Sequence, residues 1–384
     1  MPLSDLMKSK YLIVATLLAS TLQMPAQETP SSKVPEGAAI LPSSSADAPP
    51  QEARRDLRCS LAVIEDATVY GGLQVPLPQL LNQVLVEPTV TLRYKPQWSF
   101  STSLIGLSDR YSDTTTQLRV KEAYVGLSAG DFDFMAGRRM VRWGTGYAFT
   151  AAGVLDPPRM PTNPSDRLNL NQGRDMVKAD YVHGPHAFTL AWSSAALAPT
   201  STSLRDTTAF RYNVLVHGFD TALIAGRDRG GDSFGALTFT RVLGEAWEIH
   251  GEAAWREQAA LLAGAKFTTR TGITFLGEFF TPPNIPYFQQ SSLYPLIGRE
   301  HLLYLSAGKN RLREIPAWKE WDLSASAVAN LNDRSFTAVF DATRRFGNHL
   351  SSYVHAEIPV GSGKSQFGAT PYSTATSIGL RFQL

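Results

Sequence analysis

Cysteine is almost absent from this chain of 384 residues: Cys59 stands alone. No intramolecular disulfide framework and no cysteine-built zinc or iron–sulfur site is therefore available. Charge is sparse too, with 18% of residues charged against roughly 25% in soluble domains. Neither sign dominates: 36 basic and 34 acidic residues leave a net charge of +2. That balance excludes a strongly basic nucleic-acid binder and an acidic tail. Long apolar runs are also missing. The stretch Tyr11–Leu22 is about a dozen residues, well short of the roughly 20 needed to cross a bilayer as a helix. Enzyme signatures are lacking as well: Gly126-Leu127-Ser128-Ala129-Gly130 spells Gly-x-Ser-x-Gly but runs into a tight Ala-Gly-Asp turn between two strands rather than the strand-to-helix turn of a nucleophile elbow, and no His-Glu-x-x-His pair occurs. Gly361-Ser362-Gly363-Lys364-Ser365 imitates the tail of a phosphate loop, but Ile358 holds the required first glycine position. What is abundant is apolar residue: 43% hydrophobic and 10% aromatic, enough to bury a large surface.

Residues 1–26 read as a cleaved secretory leader, with Lys8 and Lys10 before the short apolar run and Ala26 at the cut. Residues 27–59 are rich in Pro, Ser and Ala without periodicity and read as a disordered linker. Cys59 lies far beyond the apolar run, so it is no lipid-accepting site and reads as a buried or incidental thiol.

From residue 60 to 384 the chain consists of segments of about ten residues that alternate with period two, separated by turn residues. In Glu245–Arg256 one face carries Trp247, Ile249, Gly251, Ala253 and Trp255. The other carries Glu248, His250, Glu252 and Arg256. The two tryptophans are eight residues apart, which at ~3.3 Å per residue and ~40° tilt spans about 20 Å. That is the separation of the two aromatic girdles of a membrane barrel. Connections alternate in length, with tight turns such as His183–His186 and Phe346–His349 facing long loops at about 145–174, 197–209, 282–299 and 361–372. The pattern predicts an all-β fold: a closed, transmembrane antiparallel β-barrel of 16–18 strands with long extracellular loops. An even count places both termini in the periplasm.

Two segments carry a resemblance. Lys121–Gly146 (KEAYVGLSAGDFDFMAGRRMVRWGTG) ends on Trp143-Gly144-Thr145-Gly146 and leads into a loop with Asp156-Pro157 and Asn163-Pro164. It resembles a segment of porin-like and alginate-export-like Gram-negative outer-membrane barrels. The final stretch, with Ile378, Leu380, Phe382 and Leu384 on one face, resembles the C-terminal signal strand of outer-membrane proteins. That strand usually ends in an aromatic, whereas here the aromatic is Phe382. The resemblance implies a bacterial outer-membrane location, contact with membrane lipid and lipopolysaccharide, and insertion by the barrel-assembly machinery.

Arg138 and Arg142 share one strand face and Arg139 takes the other. They form either a basic pore wall or a rim cluster paired with loop carboxylates. The 145–174 loop either folds inward as a constriction or caps the barrel outside. The expected pore-lining set is Arg138, Arg142, Glu248, His250, Glu252, Arg256, Glu278, Asp322, Asp341, His355, Glu357 and Arg381. Both charge signs occur in it, which suits a water-filled channel or an interior filled by ion pairs. The expected function is passive diffusion of small hydrophilic solutes or ions, with no enzymatic activity, cofactor, metal or nucleic acid. The alternative is a filled barrel whose loops bind, anchor or help export a surface polysaccharide. Oligomeric state is left open.

Overall fold

A strand that alternates apolar and polar residues has one face that water wets and one that it rejects. Many such strands side by side satisfy both faces only by closing around a polar interior. The computed structural model describes residues 56–384 except 75–77, 95–96, 111–113, 158, 164–166, 195–205, 229–230, 257, 283–300 and 313–317. The predicted leader and all but the last four residues of the predicted linker lie outside the described residues.

The described residues form eighteen strands and no α-helix. The first six are β1 (Asp56–Gly71), β2 (Leu80–Tyr94), β3 (Trp98–Arg110), β4 (Thr114–Ala129), β5 (Phe132–Arg139) and β6 (Arg174–His183). Next come β7 (His186–Ser193), β8 (Thr207–Val216), β9 (Phe219–Asp228), β10 (Ser233–Leu243), β11 (Trp247–Trp255) and β12 (Ala259–Thr268). The last are β13 (Ile273–Thr281), β14 (Leu302–Lys309), β15 (Trp321–Asn330), β16 (Ser335–Phe346), β17 (Leu350–Val360) and β18 (Thr374–Gln383). Each pairs antiparallel with its neighbours in the chain, and β18 returns to β1, from Ala62 opposite Gln383 to Gly71 opposite Thr374. The ring is closed and no strand edge is left unpaired. The strand count is eighteen, the upper of the two expected values. β1 begins at Asp56, so the last four residues assigned to the linker are strand, and Cys59 is exposed on it rather than buried.

Burial alternates along the strands and sorts the two faces. Leu118 (76% exposed), Trp255 (61%) and Ile378 (60%) belong to a continuous outward apolar wall, a surface that only lipid can cover. Trp247 and Trp255 both lie on this wall, as do Ile378, Leu380, Phe382 and Leu384. The partners on the opposite face of each strand point into the lumen.

The two ends of the barrel differ. At the end where β1 begins and β18 finishes, tight turns carry a glycine with positive φ in six connections, for example Gly184 (φ 56°) and Gly347 (φ 71°). A β-carbon there meets nothing within 4 Å, so the backbone conformation alone selects glycine. The other end carries the long segments between β5 and β6, β7 and β8, β13 and β14, and β17 and β18. The length contrast is less uniform than the sequence suggested. At this same loop end β9 passes to β10 through residues 229–232, and β15 to β16 through 331–334.

Candidate functional site: a strap across the lumen

Residues 140–173 join β5 to β6, and the described ones among them fold into the barrel interior as a strap between its walls. The first part lies against the β7–β14 wall. Trp143, Ala152 and Leu155 pack on Ala191, Ala209, Ile224 and Phe234. Ala148 and Phe149 pack on Leu262, Phe280, Leu302 and Tyr304, with the Phe149 and Phe280 rings stacked 5.1 Å apart. The last part reaches the other side, where Leu168 is buried with Ile64, Leu85, Ile105, Leu107 and Tyr353.

A strap without regular secondary structure leaves its backbone N–H groups without ladder partners, and burying them unpaired is costly. Wall carboxylates supply the acceptors. Glu252 of β11 accepts the N–H groups of Gly146 (2.8 Å), Ala151 (2.6 Å) and Ala152 (2.7 Å) and the hydroxyl of Thr150 (3.0 Å). Glu278 of β13 accepts those of Tyr147, Ala148 (2.8 Å) and Phe149 (3.2 Å), and its fourth contact is His250 Nε2 at 2.9 Å. Glu248 accepts the Tyr147 hydroxyl at 2.8 Å. The chain approaches so closely that a β-carbon on Gly146 would sit 2.3 Å from the Phe149 carbonyl oxygen and 2.7 Å from Leu262. That is the physical requirement behind the Trp-Gly-Thr-Gly motif.

Within the strap, Asp156 accepts the Trp143 N–H (2.6 Å) and the Gly144 N–H (3.2 Å) and pairs with Arg159 at 3.0 Å. Burial pushes the Asp156 carboxyl above the usual carboxylate range, outweighing the opposing pull of Arg159 and the Trp143 N–H. On the far wall, Asp66 of β1 binds Arg167 and accepts the Tyr353 hydroxyl at 2.7 Å. Glu87 of β2 pairs with Lys121 (2.8 Å) and accepts the side-chain amide of Asn169 (2.7 Å). A register shift between β3 and β4 makes Lys121 an extra residue in its strand. Lys121 thereby reaches Glu87, while the next residue, Glu122, accepts the Met140 N–H at 2.8 Å.

Glu248, His250, Glu252 and Glu278 therefore face the lumen as expected from their alternation, but they hold the strap rather than line an open bore. Other named residues are paired along the inner wall. Arg256 meets Asp228 at 3.2 Å and Asp322 meets Arg345 at 2.7 Å. His355 bridges Asp341 (2.7 Å) and Glu357 (3.0 Å), and Arg381 donates to the Arg167 carbonyl. Arg138 departs from expectation. It shares the outward face with Phe132 and Phe134, stands opposite Asp175 in register, and pairs with it on the outer wall. The inward arginine of that strand is Arg139, directly opposite Arg174. Arg139 lies over the Tyr124 ring at 4.6 Å, Arg142 is exposed on the strap, and Arg139, Arg142 and Arg174 have no carboxylate partner among the described residues.

Part of the inner wall keeps its contact with solvent beside the strap. Asp341, in mid-strand, and Arg345 have side chains 41% exposed, and inward Ser324 is exposed.

The closed antiparallel ring has counterparts in fold among solved structures. Pseudomonas aeruginosa OccK5 (OpdH) is 8% identical, covers 86% of this chain and 98% of its own, and superposes with a TM-score of 0.59. OccK11 (OpdR) of the same organism is 9% identical, with 85% and 96% covered and a TM-score of 0.58. A mutant of Rh. blastica porin is 10% identical, with 86% and 100% covered and a TM-score of 0.50. The fold is a porin-like barrel. At these identities the likeness is one of fold. No family model matches the sequence, and no curated protein matches it. Among the described residues of this porin-like barrel, no cluster of His, Cys, Asp and Glu has the arrangement of a metal site.

Proposed function

We propose that this chain is a bacterial outer-membrane channel for passive diffusion of small hydrophilic solutes or ions, narrowed by the 140–173 strap. One observation carries the reading: the inward side chain of Asp341, in the middle of β16, stays 41% exposed on the inner wall although the strap is docked. A lumen packed solid at that depth would bury this side chain, whereas here it keeps contact with solvent although it is already paired with His355. Passage needs no covalent step. Solutes move along a polar wall that binds each weakly enough to release it.

The reading extends to selectivity. Arg139, Arg142 and Arg174 lack carboxylate partners among the described residues, while the lumen acids are largely spent on the strap or on inner-wall ion pairs. An excess of uncompensated positive charge beside the strap favours anions. Both termini lie in the periplasm in this reading, and the apolar outward face of β18 is the segment by which the barrel-assembly machinery would receive the chain.

Liposome swelling tests the proposal. Vesicles carrying the refolded protein are expected to swell in isotonic arabinose and in small organic anions, and progressively less in larger sugars. Absence of swelling from a verified folded barrel would contradict a diffusion channel and favour a filled barrel whose loops bind polysaccharide.

A further inference from the structure

Between β7 and β12 the outward residues line up in cross-strand rungs close to the loop end. The rung nearest that end runs Trp192, Thr208, Arg227, Ser233, each opposite the next in register. The following rung places Ala225 and Gly235 between Phe210 and Trp255. The third brings up Tyr212, Leu223 and Leu237. Two small residues flanked by large aromatics leave a notch of about 850 Å³ in the outer wall, bordered by Phe210, Leu223, Leu237, Trp255 and Leu261. Its lining is apolar, and it faces the hydrocarbon side of the barrel. Space of that kind forfeits dispersion contacts unless a chain fills it.

Arg227 stands one rung above the notch, exposed and on the lipid-facing side. Its Nε donates to the Gly231 carbonyl (3.2 Å), and it has no carboxylate partner among the described residues. Its cross-strand neighbours Thr208 and Ser233 add a hydroxyl on either side. A guanidinium fork flanked by hydroxyls matches a phosphate. Above this rung β9 passes to β10 through residues 229–232, and β11 to β12 through 256–258. Connections this short leave room over the Arg227–Ser233 side of the rung, away from the long β7–β8 segment, for a bulky head group.

We propose that the notch seats an acyl chain of a phosphorylated glycolipid of the lipid A class, with the lipid's phosphate on Arg227. The assignment rests on the outer-membrane placement, which puts the loop end in the leaflet where such glycolipids reside. Arg227 supplies the charge, the notch the apolar seat, and the short connections the clearance for the sugar.

Native mass spectrometry of the full chain in mild detergent, titrated with hexa-acylated lipid A or with phosphatidylglycerol, tests the site. One lipid A per barrel is expected, held more tightly than phosphatidylglycerol. Arg227→Gln is expected to weaken it about tenfold, the loss of charge-assisted hydrogen bonds. Gly235→Leu is expected to block it, since a β-carbon there meets only the Ile224 carbonyl oxygen at 3.9 Å and the side chain fills the notch. If Gly235→Leu fails to refold, Ala225→Leu fills the same rung from the neighbouring strand. Conductance should be unchanged in all three variants, so failure of this proposal is separable from failure of the channel reading. Equal retention of the two lipids, or retention indifferent to both charge loss and filling, overturns the proposal. So does a disulfide between two copies through Gly235→Cys in a Cys59→Ser background, which would make the notch a protein interface.

Discussion

Glu252 gives both carboxylate oxygens to the strap, and every donor it serves is backbone N–H or threonine hydroxyl of residues 145–152. Removing it strands three amide groups, each costing about 1–3 kcal/mol when buried without an acceptor. Glu252→Ala is therefore expected to lower stability by on the order of 3 kcal/mol and to free the first half of the strap. In single-channel recordings this appears as a larger and noisier current, whereas an unaltered trace would mean the strap does not limit flow. Glu252→Gln retains an acceptor oxygen and should fall between the two. Arg142 makes the complementary case. It is exposed and has no carboxylate partner among the described residues, so Arg142→Glu should leave folding intact while moving the zero-current potential towards cation preference. A variant with the potential of the parent protein would remove Arg142 from the conducting path.

The strap behaves as an element because its anchors sit at both walls and its middle is held by its own Asp156. Gly146→Val tests the close approach. With a β-carbon 2.7 Å from Leu262 of the wall and 2.3 Å from the strap's own Phe149 carbonyl oxygen, the strap cannot dock, and limited proteolysis should cut within residues 140–173 while the strands stay intact. Acidity offers a second test. The Asp156 carboxyl is raised in the folded state, so the folded protein holds that proton more tightly than the unfolded chain. Its contribution to stability is then greatest below the unfolded pKa of about 3.9 and declines as pH rises towards the folded value. Comparing urea midpoints in micelles at pH 4 and pH 7, the parent protein should lose more stability than Asp156→Asn. Equal losses would contradict the assignment. This element also marks the limit of what the sequence discloses. Alternation reveals that Glu252 and Glu278 face inward, because each lies in a strand with an apolar opposite face. It does not reveal that their partners are backbone amides a hundred or more residues away. Asp66 was hidden for a different reason: Glu65 beside it faces outward, so the adjacent pair of acids blurs the alternation of β1. The extra residue at Lys121 broke the parity of β4 in the same way. Arg138 misled because a charge on the outward face is unexpected until its partner Asp175 is brought opposite it by a strand that begins beyond the loop.

At the scale of the molecule, the sequence carried the architecture well. Period-two alternation, two tryptophans bracketing an apolar face and glycine-bearing turns depend on neighbours within a few residues, and all of them recur in the eighteen-strand ring. What alternation cannot carry is the state of the lumen, which depends on where one long segment goes after it leaves β5. On the proposed reading, the docked strap narrows a bore without closing it and leaves positive charge beside the remaining passage. Single-channel recording of the refolded protein in a planar bilayer under a salt gradient tests both parts at once. Stable ohmic steps with a zero-current potential of the sign for anion preference are predicted. Steps with cation preference would contradict the role of Arg139, Arg142 and Arg174, and a folded barrel that passes no current would contradict the channel itself.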